Sequence, residues 1–301
     1  MAQMNSFNLT HLYLSPLEQC NLNCKICYTQ KTSTTLTQSQ LQDFTERYRL
    51  HLKTLNLSLE TITLCGGELF LLPWIVQYIN QVTQQKIIVE VITNATLDRL
   101  TEFAQPNLVN LIISLDGLAE DHDANRGPGS FAKTWQFLLK ARQLGFHLEI
   151  FSVITQHNFN QIDQFEQYLY QQLGFLPEIT YHPRKPLAYL ATHPTSNRFG
   201  EMKKFGFLSL KQIETVAKTK KIFPPVKLGC HQLSLMSNGL VYACCEGINP
   251  VGKISDTIEQ TVANYLKRVK KPQAFSDDCL RCAEPNFVCG FTQEYLKLQK
   301  T

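Results

Sequence analysis

Cys20, Cys24 and Cys27 lie in the run Cys20-Asn21-Leu22-Asn23-Cys24-Lys25-Ile26-Cys27-Tyr28, close enough for three thiolates to converge on a metal. Iron-sulfur clusters are held by cysteine thiolates, and three ligands leave one iron of a [4Fe-4S] cluster open to a substrate. A zinc site would need a fourth ligand, and the nearby His11 and His51 lie outside the usual short ligand spacing. A second group of cysteines stands toward the end of the sequence. The Asn238-Gly239 turn folds Cys230 and Cys244 toward each other, and Cys279-Leu280-Arg281-Cys282 adds a pair at metal-ligand spacing. Cys230, Cys244, Cys279 and Cys282 suffice for one cluster, with Cys289 and Cys245 in reserve; a four-cysteine zinc ribbon has the same spacing. Cys65 reads as a small buried apolar residue.

These residues need elements to position them. Short β-rich runs alternate with helical-period segments from residue 11 to residue 182, the pattern of βα units around a parallel sheet. Strands are predicted at His11 to Leu14, Glu60 to Leu64, Ile87 to Ile92, Val109 to Ser114, His147 to Ile154 and Glu178 to Tyr181, six steps rather than eight. Between them, stripes such as Leu41, Phe44, Tyr48 and Leu52, or Ile162, Phe165, Leu169 and Leu173, form apolar helix faces against the sheet. In parallel αβ architectures the chemistry gathers at the carboxyl ends of strands. Gly66-Gly67-Glu68, Thr93-Asn94 and Ser114-Leu115-Asp116-Gly117 all fall there. A glycine pair admits close backbone approach to a ligand, and a carboxylate accepts hydrogen bonds from an ammonium group. Gly-Gly also makes a plain βα turn, and Asn94 and Asp116 equally cap turns and helix starts. Residues 183–227 read as a connector with one helix, Leu210 to Thr219, and residues 228–301 as a small cysteine-rich domain that opens on a hairpin.

The 301 residues can bury a sizeable core, and 44% hydrophobic with 18% charged composition argues against disorder. A net charge of +4 with no long basic run argues against a nucleic-acid partner. The sequence shows neither a secretory signal nor an apolar membrane span, so the expected location is the cytoplasm, with no membrane partner. Ten cysteines in that reducing compartment are thiols or metal ligands rather than disulfides.

Cys-x3-Cys-x2-Cys ending in an aromatic residue resembles the signature of the radical S-adenosylmethionine (SAM) superfamily. Gly66-Gly67-Glu68 resembles its Gly-Gly-Glu-Pro motif with Leu69 in the proline's place, and Thr93-Asn94-Ala95 its Thr-Asn-Gly. Ser114-Leu115-Asp116-Gly117, with His122 and Arg126-Gly127, resembles stretches of peptide-modifying and cofactor-building members. The resemblance implies an α/β partial (β/α)6 TIM-like barrel over residues 1–182, with a [4Fe-4S] cluster on Cys20, Cys24 and Cys27. It implies SAM on the open iron, with Gly66, Gly67, Glu68, Asn94 and Ser114 as SAM contacts and a 5′-deoxyadenosyl radical as product of its reductive cleavage. The later cysteines resemble the SPASM extension, or its shortened twitch form. The gap before Cys289 is six residues long and no cysteine follows it, so the resemblance implies one auxiliary [4Fe-4S] cluster.

An oxidoreductase or maturase acting on a peptide or protein side chain is the first expectation, with a reducing donor such as flavodoxin or ferredoxin. The barrel's start near residue 11 leaves no room for an N-terminal peptide-recognition domain, which favours the alternative of a dehydrogenase or cofactor builder on a small molecule. A non-catalytic iron-sulfur or zinc protein on a decayed barrel is the third reading. The intact cysteine and Gly-Gly-Glu motifs oppose it.

Overall fold

Six strands run parallel in chain order: β1 (His11–Ser15), β2 (Thr61–Leu64), β3 (Ile88–Thr93), β4 (Val109–Ser114), β5 (His147–Ile154) and β6 (Glu178–Pro183). The computed structural model describes residues 9–27, 29, 31–184, 205–220, 232–243, 245 and 250–268. Cys230, Cys244, Cys279, Cys282 and Cys289, and with them the expected auxiliary cluster, lie outside the described residues. All six predicted strands are present.

Helices α1 (Gln38–Thr54), α2 (Ile75–Gln84), α3 (Ala119–Arg126), α4 (Ser130–Gln143) and α5 (Ile162–Leu173) connect these strands. Each strand turns alternate residues to opposite sides of the sheet. Leu12, Leu14, Ile62, Val89, Val91, Leu111 and Ile113 are fully buried in the core that holds Leu41, Phe44, Tyr48 and Leu52 of α1. Helix α1 starts on a capping box, Thr37 with Gln40, which satisfies two otherwise unpaired donors.

The other side is different. Tyr13, Thr63, Glu90 and Asn110 stand in register across β1 to β4. One and two steps further along, Ile112 pairs with Glu149, and Ser114, Phe151 and Thr180 share a row. This concave side is polar and bonded to itself: His11 Nε2 lies 2.6 Å from Thr63 Oγ1, and the Thr180 hydroxyl donates to Glu149 at 2.7 Å. It lines the barrel lumen.

The Asn-Gly hairpin does not begin a separate layer. Its first strand, β7 (Leu233–Met236), pairs parallel with β1, and β8 (Leu240–Tyr242) and β9 (Gly252–Lys253) follow antiparallel. The nine strands among the described residues form one open sheet, β6-β5-β4-β3-β2-β1-β7-β8-β9, so the described part of residues 228–301 extends the barrel's own sheet. Helix α6 (Leu210–Thr219) is tied to α5 by Lys220, whose ammonium reaches Asp163 at 2.7 Å and Glu166 at 2.6 Å. Helix α7 (Ile258–Arg268) packs on α1, where Arg47 donates to the carbonyls of Ile254 and Asp256. Among the described residues no helix is long and apolar enough to cross a membrane.

Candidate cluster and SAM site at the strand ends

After β1 the chain crosses the carboxyl end of the sheet as a loop that carries Cys20, Cys24 and Cys27, all half-buried. The glycine pair after β2 decides where this loop sits. A Cβ on Gly67 would lie 2.0 Å from the Gln19 carbonyl oxygen, and one on Gly66 2.5 Å from that of Leu17. In this space the Gly67 N–H bonds Leu17 O at 3.1 Å and the Glu68 N–H bonds Gln19 O at 2.9 Å. The close approach that the glycines permit is therefore filled by the chain's own backbone, immediately before Cys20.

Glu68 is buried, and its carboxylate is surrounded by protein donors. Oε1 accepts from Phe70 N–H (3.1 Å) and Thr93 Oγ1 (2.9 Å); Oε2 accepts from Asn94 N–H (2.8 Å) and the same hydroxyl (3.0 Å). Burial pushes its pKa up against these donors. The carboxylate thus bolts the turn after β2 to the end of β3. Asn94, at that end, directs its side-chain amide to Asn21 Oδ1 at 2.9 Å and to Cys20 Sγ at 3.6 Å. Thr96 takes the Asn21 amide at 2.8 Å.

Helix α3 holds the other half of the loop. The Asn125 carbonyl accepts from Lys25 N–H at 2.8 Å, and its side-chain oxygen accepts from Ile26 N–H at 3.2 Å. The Asn125 amide then donates to Asp116 Oδ2 at 2.7 Å, and Arg126 grips the same carboxylate through Nε to Oδ2 (2.6 Å) and Nη2 to Oδ1 (3.0 Å). Burial works to raise the Asp116 pKa, but the guanidinium overrides it and holds the carboxyl below its usual range. His122 accepts the Asp116 N–H on Nδ1 at 3.2 Å, and burial, aided by Arg126, drops its pKa to about 4. Asp116 is a structural hub, while Ser114 is half-buried in the lumen-facing row at the end of β4.

Burial raises the thiol of Cys24 to about 11, and that of Cys20 in the same direction, with Arg126 pulling Cys24 back down. Bound metal deprotonates such thiols outright. A soft donor set of three cysteines next to a buried arginine fits an iron-sulfur cluster, because the fixed cation offsets part of the thiolate charge. Among the described residues no group of His, Cys, Asp and Glu is placed to hold one metal ion, whereas a cluster takes each thiolate on a different iron.

The structure brings the sequence-selected Cys20, Gly66, Gly67, Glu68 and Asn94 into one bonded assembly. Cys65 is half-buried rather than core. Asn21 and Asn125 carry the loop's side-chain hydrogen bonds and were not singled out; neither has a spacing signature. Arg184, three residues past the predicted end of β6, falls in the expected connector. The alternation Thr180, His182, Arg184 was the signal that could have found it.

A family model described as the radical SAM superfamily matches residues 14–169. The GTP 3',8-cyclase of Clostridium perfringens (strain SM101 / Type A) is 25% identical over 282 residues, covering 90% of this chain and 80% of the cyclase. The mycofactocin maturase MftC of Mycobacterium ulcerans (strain Agy99) is 29% identical over 154 residues, covering 48% of this chain and 40% of the maturase. Native anSMEcpe with bound AdoMet and the Cp18Cys peptide shares the fold at TM-score 0.67 and 16% identity, over 95% of this chain and 96% of that one. The family match runs from the end of β1 into α5 and takes in the cysteine loop, its glycine seat and the Asp116 hub. The chain therefore belongs to the radical SAM superfamily, whose enzymes use a [4Fe-4S] cluster and SAM.

Proposed function

We propose that this enzyme acts on a peptide or protein side chain bound in the barrel lumen, with Cys20, Cys24 and Cys27 holding the SAM-cleaving cluster. The observation that carries the ligand assignment is the cysteine loop itself, fixed from both sides by Gly66-Gly67 and by Asn125 over the strand ends. Cys20, Cys24 and Cys27 would hold the cluster, which when bound would supply the electron for reductive cleavage of SAM and so for hydrogen-atom abstraction from the substrate.

The chain's own residues supply position. The Gly66-to-Glu68 turn, Asn94 and Ser114 are the proposed SAM contacts. With its oxygens engaged by Phe70, Thr93 and Asn94, Glu68 serves that site by holding the turn and strand end together. The polar lumen wall orients the substrate below. The peptide reading is supported by the maturase relative and by the open sheet, which leaves β6 unpaired on its outer edge among the described strands. A small-molecule substrate is the second reading, favoured by the cyclase match over 90% of the chain. In either reading the electron donor is a small reductant such as flavodoxin or ferredoxin, and an auxiliary cluster on Cys230, Cys244, Cys279 and Cys282 remains part of the proposal.

Anaerobic reconstitution of the Cys20→Ala/Cys24→Ala/Cys27→Ala variant tests the ligand set. Formation of 5′-deoxyadenosine from SAM and dithionite is expected to vanish, with the iron content lowered by one cluster. Undiminished cleavage would refute the assignment. Incubating the wild-type enzyme with candidate precursor peptides and with GTP, then following substrate-dependent 5′-deoxyadenosine, separates the two substrate readings.

A further inference from the structure

Arg184 follows directly on β6 and extends its lumen-facing row. Phe151 pairs with Thr180 and Val153 with His182, and the Arg184 N–H continues the ladder to Ile154 O at 2.9 Å. The side chain is clamped: Nη1 donates to the Gly206 carbonyl at 3.2 Å, and the Phe207 ring centroid lies 4.1 Å from Cζ. Gly206 itself, at φ +65°, rests on the Gln156 side chain, where a Cβ would come within 2.6 Å of Oε1. Phe205 packs edge-on to His157, with ring centroids 5.6 Å apart. A strap of three residues thus fixes the arginine from above.

Two guanidinium nitrogens remain idle. Arg184 is 7% exposed, and its Nε and Nη2 are buried without a hydrogen-bond partner among the described residues. Those two N–H groups form one edge of the guanidinium, the edge that grips a carboxylate in a bidentate fork. The same chain uses this edge in that way elsewhere, where Arg126 holds Asp116 through Nε and Nη2. A desolvated cation with three of its five N–H donors on idle nitrogens is costly, and burial lowers its pKa to about 10. An anion completes such a site.

We propose that Arg184 is the receptor for a carboxylate of the substrate, held at the β6 end of the lumen by the Phe205-Gly206-Phe207 strap. This deepens the proposed function and rests on its reading of the lumen as the substrate chamber. One guanidinium balances the single charge of a carboxylate and would leave a phosphate dianion half-balanced. The proposed SAM contacts follow β2, β3 and β4, whereas Arg184 follows β6 at the end of the strand order, on the side away from the cysteine loop. The fork therefore falls to the substrate rather than to the methionine carboxylate of SAM.

Titration of the reconstituted, SAM-bound protein with sodium acetate at constant ionic strength tests this, read by NMR of arginine labelled with 15N at Nε. One Nε–H resonance is expected to move downfield saturably with acetate and not with acetamide, and to be missing from the spectrum of Arg184→Lys. Phe207→Leu keeps the fork and loosens its clamp, so acetate should bind it about tenfold more weakly; this variant serves if the lysine variant does not fold. Absence of any saturable acetate shift overturns the proposal. A shift seen only without SAM assigns the fork to SAM and overturns the substrate assignment, and tighter saturation by inorganic phosphate overturns the choice of carboxylate. The titration contains no peptide, so a failure of the peptide reading leaves its outcome unaffected.

Discussion

Two residues at the strand ends turn out to serve the chain before they serve a ligand. Glu68 spends its carboxylate on Phe70, Thr93 and Asn94, and Gly67 spends its missing side chain on the Gln19 carbonyl. His122 is the residue through which acid should reach this region. Its folded pKa of about 4 lies below the ordinary 6.5, so between those values the unfolded chain binds more protons than the folded one. Stability is therefore complete above pH 6.5 and declines as pH falls toward 4, by about 2 kcal/mol between pH 7.5 and pH 5. Anaerobic urea denaturation at the two pH values measures the slope, and His122→Asn, which keeps an acceptor for the Asp116 N–H, should flatten it. An unchanged slope would mean that His122 titrates normally. The motif residues themselves were legible from type and position. What opposes each of them was not, because Leu17, Gln19 and Asn125 carry no pattern that marks them as partners.

At the scale of elements, α3 acts as a bracket between the Asp116 hub and the cysteine loop. Asn125 is its pivotal member, serving Lys25 and Ile26 on one side and Asp116 on the other. Asn125→Ala leaves the buried Ile26 N–H without its acceptor, and removes one donor from Asp116. The expected cost is about 1–3 kcal/mol in global stability, together with faster loss of cluster iron to a chelator. A variant that melts lower but keeps its iron as well as wild type would separate α3 from the loop. The elements were readable in advance: Val109–Ser114, His147–Ile154 and Leu210–Thr219 stand where hydrophobic period and turn residues put them. Strand β6 runs on to Pro183, past the predicted end at Tyr181, since a proline at the end of an edge strand costs no ladder bond on its outer side. That extension of two residues hid Arg184.

For the whole molecule, the hairpin's place could not be read from its sequence. Ser237-Asn238-Gly239 announces a turn, but that β7 lies parallel beside β1 depends on which sheet edge is vacant, a property of the assembled barrel. Gly239 sits at φ +77°, donates to Met236 O at 2.9 Å and accepts from Ile254 at 2.7 Å. Gly239→Ala should cost about 1–2 kcal/mol, seen as a lower melting temperature, because a Cβ disfavours this left-handed conformation. No loss would show the hairpin is held by β1 alone. The two-sided strands carry a further implication for descent. Odd positions of β1, β2 and β5 and even positions of β3, β4 and β6 face the lumen, while their immediate neighbours hold the core. Lineages sharing this barrel can therefore change what they recognise by drifting at every second residue of each strand, leaving the inherited scaffold intact at the residues between.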